Sequence, residues 1–224
     1  MNSPLKTRFE SLYNEAAGAQ VIAVTKYSKL STLKQAYELG YRDFGENKVK
    51  DLQEKAEDFK TDNLNQVRWH FLGNIQSNKL SKLLKVPGLV SIHSVDRLSI
   101  LEKILKKDSE LKAPLEIFIQ INTSGEKEKA GFEDMEEVIK ALQLFYESTP
   151  KNIRLAGLMT LGAIRTENFE KSAQKSFSKL KTLKELLDQM YKIDLGLSMG
   201  MSADYKLALE LGATHIRVGS ALFK

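Results

Sequence analysis

Short apolar, β-branched runs alternate with longer stretches whose apolar residues recur at helical spacing, and the alternation persists along the whole chain. The runs predict strands over 20–24, 43–45, 69–72, 89–93, 115–121, 155–159, 196–199 and 215–218. They read as continuous apolar segments more than as in-out alternation, the pattern of parallel strands buried on both faces. Between them, Met135, Val138, Ile139, Leu142, Phe145 and Tyr146 share one helix face, as do Phe177, Leu180, Leu183, Leu187 and Met190. Leu98, Leu101, Ile104 and Leu105 mark a shorter helix, and further helices fit 33–39, 47–59, 75–84 and 203–211.

Eight strands with seven helices between them predict an α/β fold, a closed (β/α)8 TIM-type barrel. An open doubly wound sheet is the arrangement that competes with it. The sequence stops almost directly after the eighth strand, so its covering helix has to come from elsewhere. Segment 5–17 fits as an extra N-terminal helix, because Leu5, Phe9, Leu12, Tyr13 and Ala16 fall on one face. No Pro/Gly/Ser-rich linker or composition break divides the chain, and residues 1–224 are expected to form a single domain.

Composition narrows the chemistry. With 34 Lys+Arg against 29 Asp+Glu the net charge is +5, but the basic residues are interspersed with acids. Lys34, Lys48, Lys50, Lys55 and Lys60 alternate with Glu38, Asp51, Glu54 and Glu57, which reads as solvated helix faces. Nucleic acid is therefore not the expected partner, and the modest positive charge suits a small anionic ligand. The absence of cysteine removes disulfides, thiolate–zinc sites and a cysteine nucleophile, and fits a reducing compartment. No run of about 18 apolar residues occurs, and the N-terminus lacks the apolar centre of a signal peptide. No membrane partner is expected; a cytoplasmic monomer is.

In a barrel the reactive face is built from residues just after each strand. Here they form a polar ring rich in small side chains, including Lys26, Glu46-Asn47, Gly73-Asn74, Thr160, the turn Ser198-Met199-Gly200-Met201-Ser202, and Arg217-Val218-Gly219-Ser220. The turns after strands seven and eight suit a phosphate, since glycine lets backbone N–H groups approach an anion. Ser202, with Asp204 close behind, reads as the N-cap of the following helix. Equally, Gly200 and Gly219 suit tight turns alone. Lys26, at the mouth of strand one, is placed to lose part of its hydration and act as an amine nucleophile; the competing reading is a solvated lysine. Lys29 and Lys34 are expected to face solvent. Arg217, if it points inward, needs an anionic or acceptor partner, or else pairs with an acidic neighbour. His70, His93 and His215 lie on three strands with no ligand spacing, so no metal site is expected and supporting roles are. Dinucleotide, P-loop and Gly-x-Ser-x-Gly signatures are missing.

Eight blocks in order carry a resemblance: Ala23-Val24-Thr25-Lys26; Phe44-Gly45-Glu46-Asn47; Trp69-His70-Phe71-Leu72-Gly73 with Gln76-Ser77-Asn78-Lys79; His93-Ser94-Val95-Asp96; Ile121-Asn122-Thr123-Ser124-Gly125-Glu126; Gly157-Leu158-Met159-Thr160; Leu197-Ser198-Met199-Gly200-Met201-Ser202-Ala203-Asp204; and Arg217-Val218-Gly219-Ser220. From about residue 20 onward the chain resembles the pyridoxal phosphate homeostasis protein family, also called the YggS/PROSC family. The resemblance implies one barrel similar to the N-terminal domain of alanine racemase, with pyridoxal 5'-phosphate (PLP) as cofactor. It implies a Schiff base on Lys26, phosphate against Ser198, Gly200, Met201, Ser202, Gly219 and Ser220, Arg217 facing the pyridine nitrogen, and Asn47 along the cofactor's edge. An arginine at that nitrogen makes the ring a weaker electron sink. Two departures stand out: Tyr27-Ser28-Lys29 follows the lysine where many members have Thr-Lys-Pro, and Asn74 replaces a frequent histidine.

A racemase needs acid/base groups on both faces of the bound amino acid, and in the alanine racemase type a second domain supplies one. The short remainder after strand eight leaves no room for it. The resemblance therefore implies a non-enzymatic PLP-binding protein of vitamin B6 homeostasis that delivers the cofactor, with PLP-dependent apo-enzymes as recipients and no catalytic residue assigned. A racemase-like PLP enzyme acting on amino acids is the alternative. A Schiff-base lyase without PLP is a third reading, and it predicts a colourless protein.

Overall fold

The computed structural model describes residues 3–124, 130–162 and 168–224. Its parallel strands are β1 (Gln20–Val24), β2 (Asp43–Glu46), β3 (Arg68–Phe71), β4 (Leu89–Val95), β5 (Leu115–Gln120), β6 (Ile153–Met159), β7 (Gly196–Ser198) and β8 (His215–Val218). They close in sequence order, β8 pairing back onto β1, with Ile22 in register with Arg217. Sequential closure excludes the open sheet.

The strands do alternate, contrary to the continuous apolar runs expected. Phe44, Trp69, Ile92, Ile117, Leu197 and Ile216 face outward into one hydrophobic shell beneath the helices. The intervening positions point into the lumen, where Asp43, His70, Ser91, His93, Ser198 and Arg217 bond to one another and Phe118 stacks on His93. Period two is present because each strand serves two different solvents, an apolar shell and a polar interior. The sequence hid it because the strands are only three to seven residues long.

The helices are α1 (Pro4–Glu15), α2 (Leu30–Glu38), α3 (Val49–Thr61), α4 (Leu80–Leu83), α5 (Leu98–Leu105), α6 (Met135–Ser148), α7 (Phe169–Tyr191), α8 (Tyr205–Glu210) and α9 (Ser220–Phe223). The helix expected over 75–84 shrinks to a 3-10 turn, Ser77–Lys79, and the single turn α4. Pro87 disfavours helical backbone at Val86, and Gly88 follows at φ +73°, which closes the segment. α7 extends eight residues N-terminal to the face read from the sequence and is capped by Asn168, whose side chain accepts from the Lys171 N–H.

α1 fills the place left beside β8. Ser3 caps it, and Pro4 occupies its first position. Phe9 is fully buried, stacked on Tyr41 at 3.9 Å between ring centroids and edge-on to Phe223 at 5.8 Å. Arg8 Nε donates to the Leu222 carbonyl at 2.7 Å, so α1 is tied to the single turn α9. Replacing Phe9 by alanine is expected to destabilise the protein by about 3–5 kcal/mol. A denaturant melt would measure it; a loss below about 1 kcal/mol would show that α1 does not cover the barrel as described.

Candidate functional site

The C-terminal ends of the strands gather most of the residues singled out from the sequence. Ile22, Val24 and Lys26 follow the lumen side of β1 by alternation, which brings Lys26 to the rim. It is exposed there, its Nζ 5.1 Å from the centroid of the Tyr27 ring, itself 86% exposed. The partial dehydration expected at this lysine is therefore not built into the free protein. Lys29 is exposed as expected, whereas Lys34 is half-buried against α3 and pairs with Asp62.

A buried cluster lies directly behind Lys26. Thr25 Oγ1 donates to Glu46 Oε1 at 2.5 Å, and Lys55 Nζ donates to the Thr25 carbonyl at 2.8 Å while also pairing with Glu46. Glu46 is fully buried, and among the described residues its Oε2 has no partner. Lys55, expected on a solvated face, has only 15% of its side chain exposed. Its long stem lies along α3 and carries the ammonium to the end of β1. A lysine–glutamate pair nine residues apart, spanning a strand end and a helix, gives no periodic signal.

The turns after β7 and β8 are stitched together by Ser202, whose Oγ accepts from the Gly219 N–H at 3.1 Å and the Ala221 N–H at 3.3 Å. Ser202 is thus not the N-cap expected of α8; Asp204 Oδ1 instead accepts from the Met201 N–H at 2.6 Å, and Asp204 and Tyr205 bond back to the Met201 carbonyl. Gly200 is buried at φ +91°, and a Cβ there would meet Ala208 Cβ at 2.6 Å, so this glycine is required for packing the turn onto α8. Among the described residues the N–H groups of Ser202, Ala203 and Ser220 take no protein acceptor. Ala203 was not singled out from the sequence. The Gly125-Glu126 part of the fifth block lies outside the described residues.

Arg217 is the charge at the centre. It is 3% exposed and points inward, yet among the described residues it pairs with no acid. Nη1 donates to Ser198 Oγ at 2.7 Å and Nη2 to the Thr160 carbonyl at 2.8 Å. Burial pulls its pKa down to about 10, an effect only partly opposed by Asp204. Asp204 is itself raised by burial, and its Oδ2 is unpartnered among the described residues. At the end of β2, on the far side of β1 from Arg217, Asn47 is exposed, and Gly73 packs against its backbone: a Cβ there would lie 1.9 Å from the Asn47 carbonyl oxygen. Asn74 is exposed beside it.

The three histidines, scattered in sequence, meet in the lumen: His93 lies 5.6 Å from His70 and 5.8 Å from His215, centroid to centroid. Burial holds His93 well below the usual histidine range, and burial together with His70 and Arg217 holds His215 at about 4. Burial acts to raise Asp43, but hydrogen bonds from His70 and Arg68 outweigh it and leave it at about 2. Among the described residues no three His, Cys, Asp or Glu side chains form a metal-binding group.

A family model described as "Alanine racemase, N-terminal domain" matches residues 3–224. The chain is 38% identical over 205 residues to the pyridoxal phosphate homeostasis protein of Schizosaccharomyces pombe, covering 91% of this chain and 82% of that one. It is 34% identical over 210 residues to the human protein of the same name, covering 91% and 75%. The structure superposes on PipY of Synechococcus elongatus, solved with PLP bound, at TM-score 0.86 and 31% identity, covering 98% and 100%. Alanine racemase of Corynebacterium glutamicum shares the fold at TM-score 0.74 and 12% identity, covering 97% of this chain and 59% of that enzyme.

Two outcomes follow from this geometry. Lys55→Met strands a buried carboxylate and should cost about 3–5 kcal/mol, while the double variant with Glu46→Gln recovers much of it. Chemical denaturation reads both, and equal losses in single and double variants would contradict the pairing. Second, His215 and His93 titrate lower folded than unfolded, so their neutral forms support the fold fully above about pH 6.5. That support is lost as pH falls toward about 4, and the Asp43 contribution is lost between about pH 4 and 2. Melting temperature should be flat near pH 7–8 and fall by several degrees between pH 6.5 and 4; a flat profile there would contradict neutral buried histidines.

Proposed function

The chain belongs to the alanine racemase N-terminal domain family and, within it, to the pyridoxal phosphate homeostasis proteins, and from that premise we propose that it binds PLP at the barrel mouth, holds it on Lys26 and hands it to other proteins. The observation that carries the reading is the pair of turns joined by Ser202, with acceptor-free N–H groups at Ser202, Ala203 and Ser220, beside a buried guanidinium that the protein satisfies only in part. This donor set fits the cofactor: N–H groups suit a phosphate, and an inward arginine suits an unprotonated pyridine nitrogen.

In this reading the N–H groups of Ser202, Ala203 and Ser220 hold the phosphate, with Ser198, Gly200, Met201 and Gly219 shaping the turns beneath them. Arg217 meets the ring nitrogen and Asn47 lines the edge. Bound PLP supplies an aldehyde, with which a lysine amine condenses, forming the carbon–nitrogen bond and releasing the aldehyde oxygen as water. Lys26 Nζ provides the lone pair. The Glu46–Lys55–Thr25 cluster fixes the backbone from which Lys26 projects. Because Lys26 is exposed, water reaches the bond it forms, which suits reversible holding more than sequestered catalysis.

A carrier rather than an enzyme agrees with the relatives, whose name describes homeostasis, and with a donor cationic at the ring nitrogen, which does not draw electrons as a protonated nitrogen does. We read residues 1–224 as one PLP-binding domain acting as a monomer in the cytoplasm, with PLP-dependent apo-enzymes as recipients. Among the described residues no helix is long and apolar enough to cross a membrane.

Loading the protein with PLP, reducing with borohydride and mapping the adduct tests the assignment. Wild type should turn yellow and carry the label on Lys26, and Lys26→Ala should lose more than about nine-tenths of it. A label that persists on another lysine would overturn the assignment to Lys26. Steady turnover of an amino acid by the loaded wild type would overturn the carrier reading.

A further inference from the structure

The lumen contains an unbroken line of hydrogen bonds. From the mouth downward it runs Arg217 Nη1 to Ser198 Oγ at 2.7 Å, Ser198 Oγ to His93 Nδ1 at 2.7 Å, and His93 Nε2 to Ser91 Oγ at 2.8 Å. It continues from Ser91 Oγ to His70 Nδ1 at 2.6 Å and from His70 Nε2 to Asp43 Oδ1 at 3.0 Å. Every intermediate side chain is at most 2% exposed, and the line enters at the barrel floor, where Arg68 and Gln20 also bond to Asp43.

Both ends fix its polarity. A guanidinium only donates, so Ser198 must accept from Arg217; a carboxylate only accepts, so His70 must present Nε2–H to Asp43. With His70 protonated on Nε2, its Nδ1 accepts the Ser91 hydroxyl hydrogen, and Ser91 then accepts from His93 Nε2–H. That leaves His93 Nδ1 bare to take the Ser198 hydrogen. Each group donates once along the line, and with neutral histidines no other assignment satisfies every contact.

We propose that His93, Ser91 and His70 are positioning residues for the cofactor site: they draw the Ser198 hydrogen away from Arg217, leave Ser198 as a pure acceptor for Nη1, and so fix the guanidinium for the ring nitrogen. The proposal rests on the PLP reading above. Reversing the line would place a hydrogen of His93 on Ser198 and leave the Ser198 hydrogen unpaired beside a buried cation. The polarity set by Asp43 at the floor is thus transmitted to the mouth through five hydrogen bonds.

Nitrogen-15 NMR of the free wild-type protein at neutral pH reads the line directly: both His70 and His93 should be Nε2–H tautomers. Finding His93 as the Nδ1–H tautomer overturns the proposal with no variant needed. The second arm compares binding of PLP with binding of its analogue that carries carbon in place of the ring nitrogen. Ser91→Ala removes the acceptor of His93 Nε2–H without touching Ser198 or Arg217. It should switch His93 toward Nδ1–H and weaken PLP about three- to tenfold, with the analogue unaffected and Ser91→Thr restoring the wild-type ratio. Equal weakening of both ligands, or none, overturns the positioning role. Failure of wild type to bind PLP would instead overturn the cofactor reading, with the tautomers still deciding the polarity of the line.

Discussion

A guanidinium buried without a carboxylate is the constraint around which the barrel interior is arranged. Taking a cation out of water is expensive, and among the described residues no acid pairs with Arg217. Its acceptors are a serine hydroxyl and a main-chain carbonyl, each a neutral dipole. Asp204, behind the β7 turn, opposes the effect of burial on it only in part, and Asp43 lies at the far end of the hydrogen-bonded line. A lumen that houses such a cation cannot be filled with aliphatic side chains; it has to supply oriented dipoles in series. This accounts for serines and histidines at positions where many barrels place valine and isoleucine.

The same requirement explains what was legible in the sequence. Outward residues such as Phe44, Trp69 and Ile216 and the helix faces beneath which they lie follow simple burial, and they announced the barrel. Arg217 and the β7 and β8 turns were visible because position after a strand is meaningful in this fold. The inward line was not: Ser91, His70 and Asp43 belong to separate strands, and their relation exists only once the barrel closes and sets the register. Lys55 was hidden differently. Its sequence neighbours are charged and solvated, and only the three-dimensional approach of α3 to the end of β1 brings its ammonium against Glu46.

Ser202 shows how a correct residue can be read with the wrong partner. Serine ahead of a helix signals a cap, yet its hydroxyl crosses to the next βα turn and joins two loops that are remote in sequence. Asp204 stands at the N-cap position of α8, but its carboxylate accepts from the Met201 N–H within the turn and makes no capping bond to the helix. The helix start is left without a side-chain cap, and the serine hydroxyl makes a long-range contact that no local propensity signals. Gly200 likewise serves packing against α8, so the two glycine–serine turns are less alike than their sequences imply.

The division between an apolar shell and a polar lumen has a calorimetric consequence. Heat capacity of unfolding rises with apolar area exposed and falls with polar area, so in this barrel the positive part originates in the outer layer. The interior contributes mainly enthalpy, through hydrogen bonds that close on one another. Hydration of the lumen with the shell intact would therefore lower the heat capacity, the opposite sign to exposure of the shell. A measurement sensitive only to hydrophobic exposure would record such a state as native.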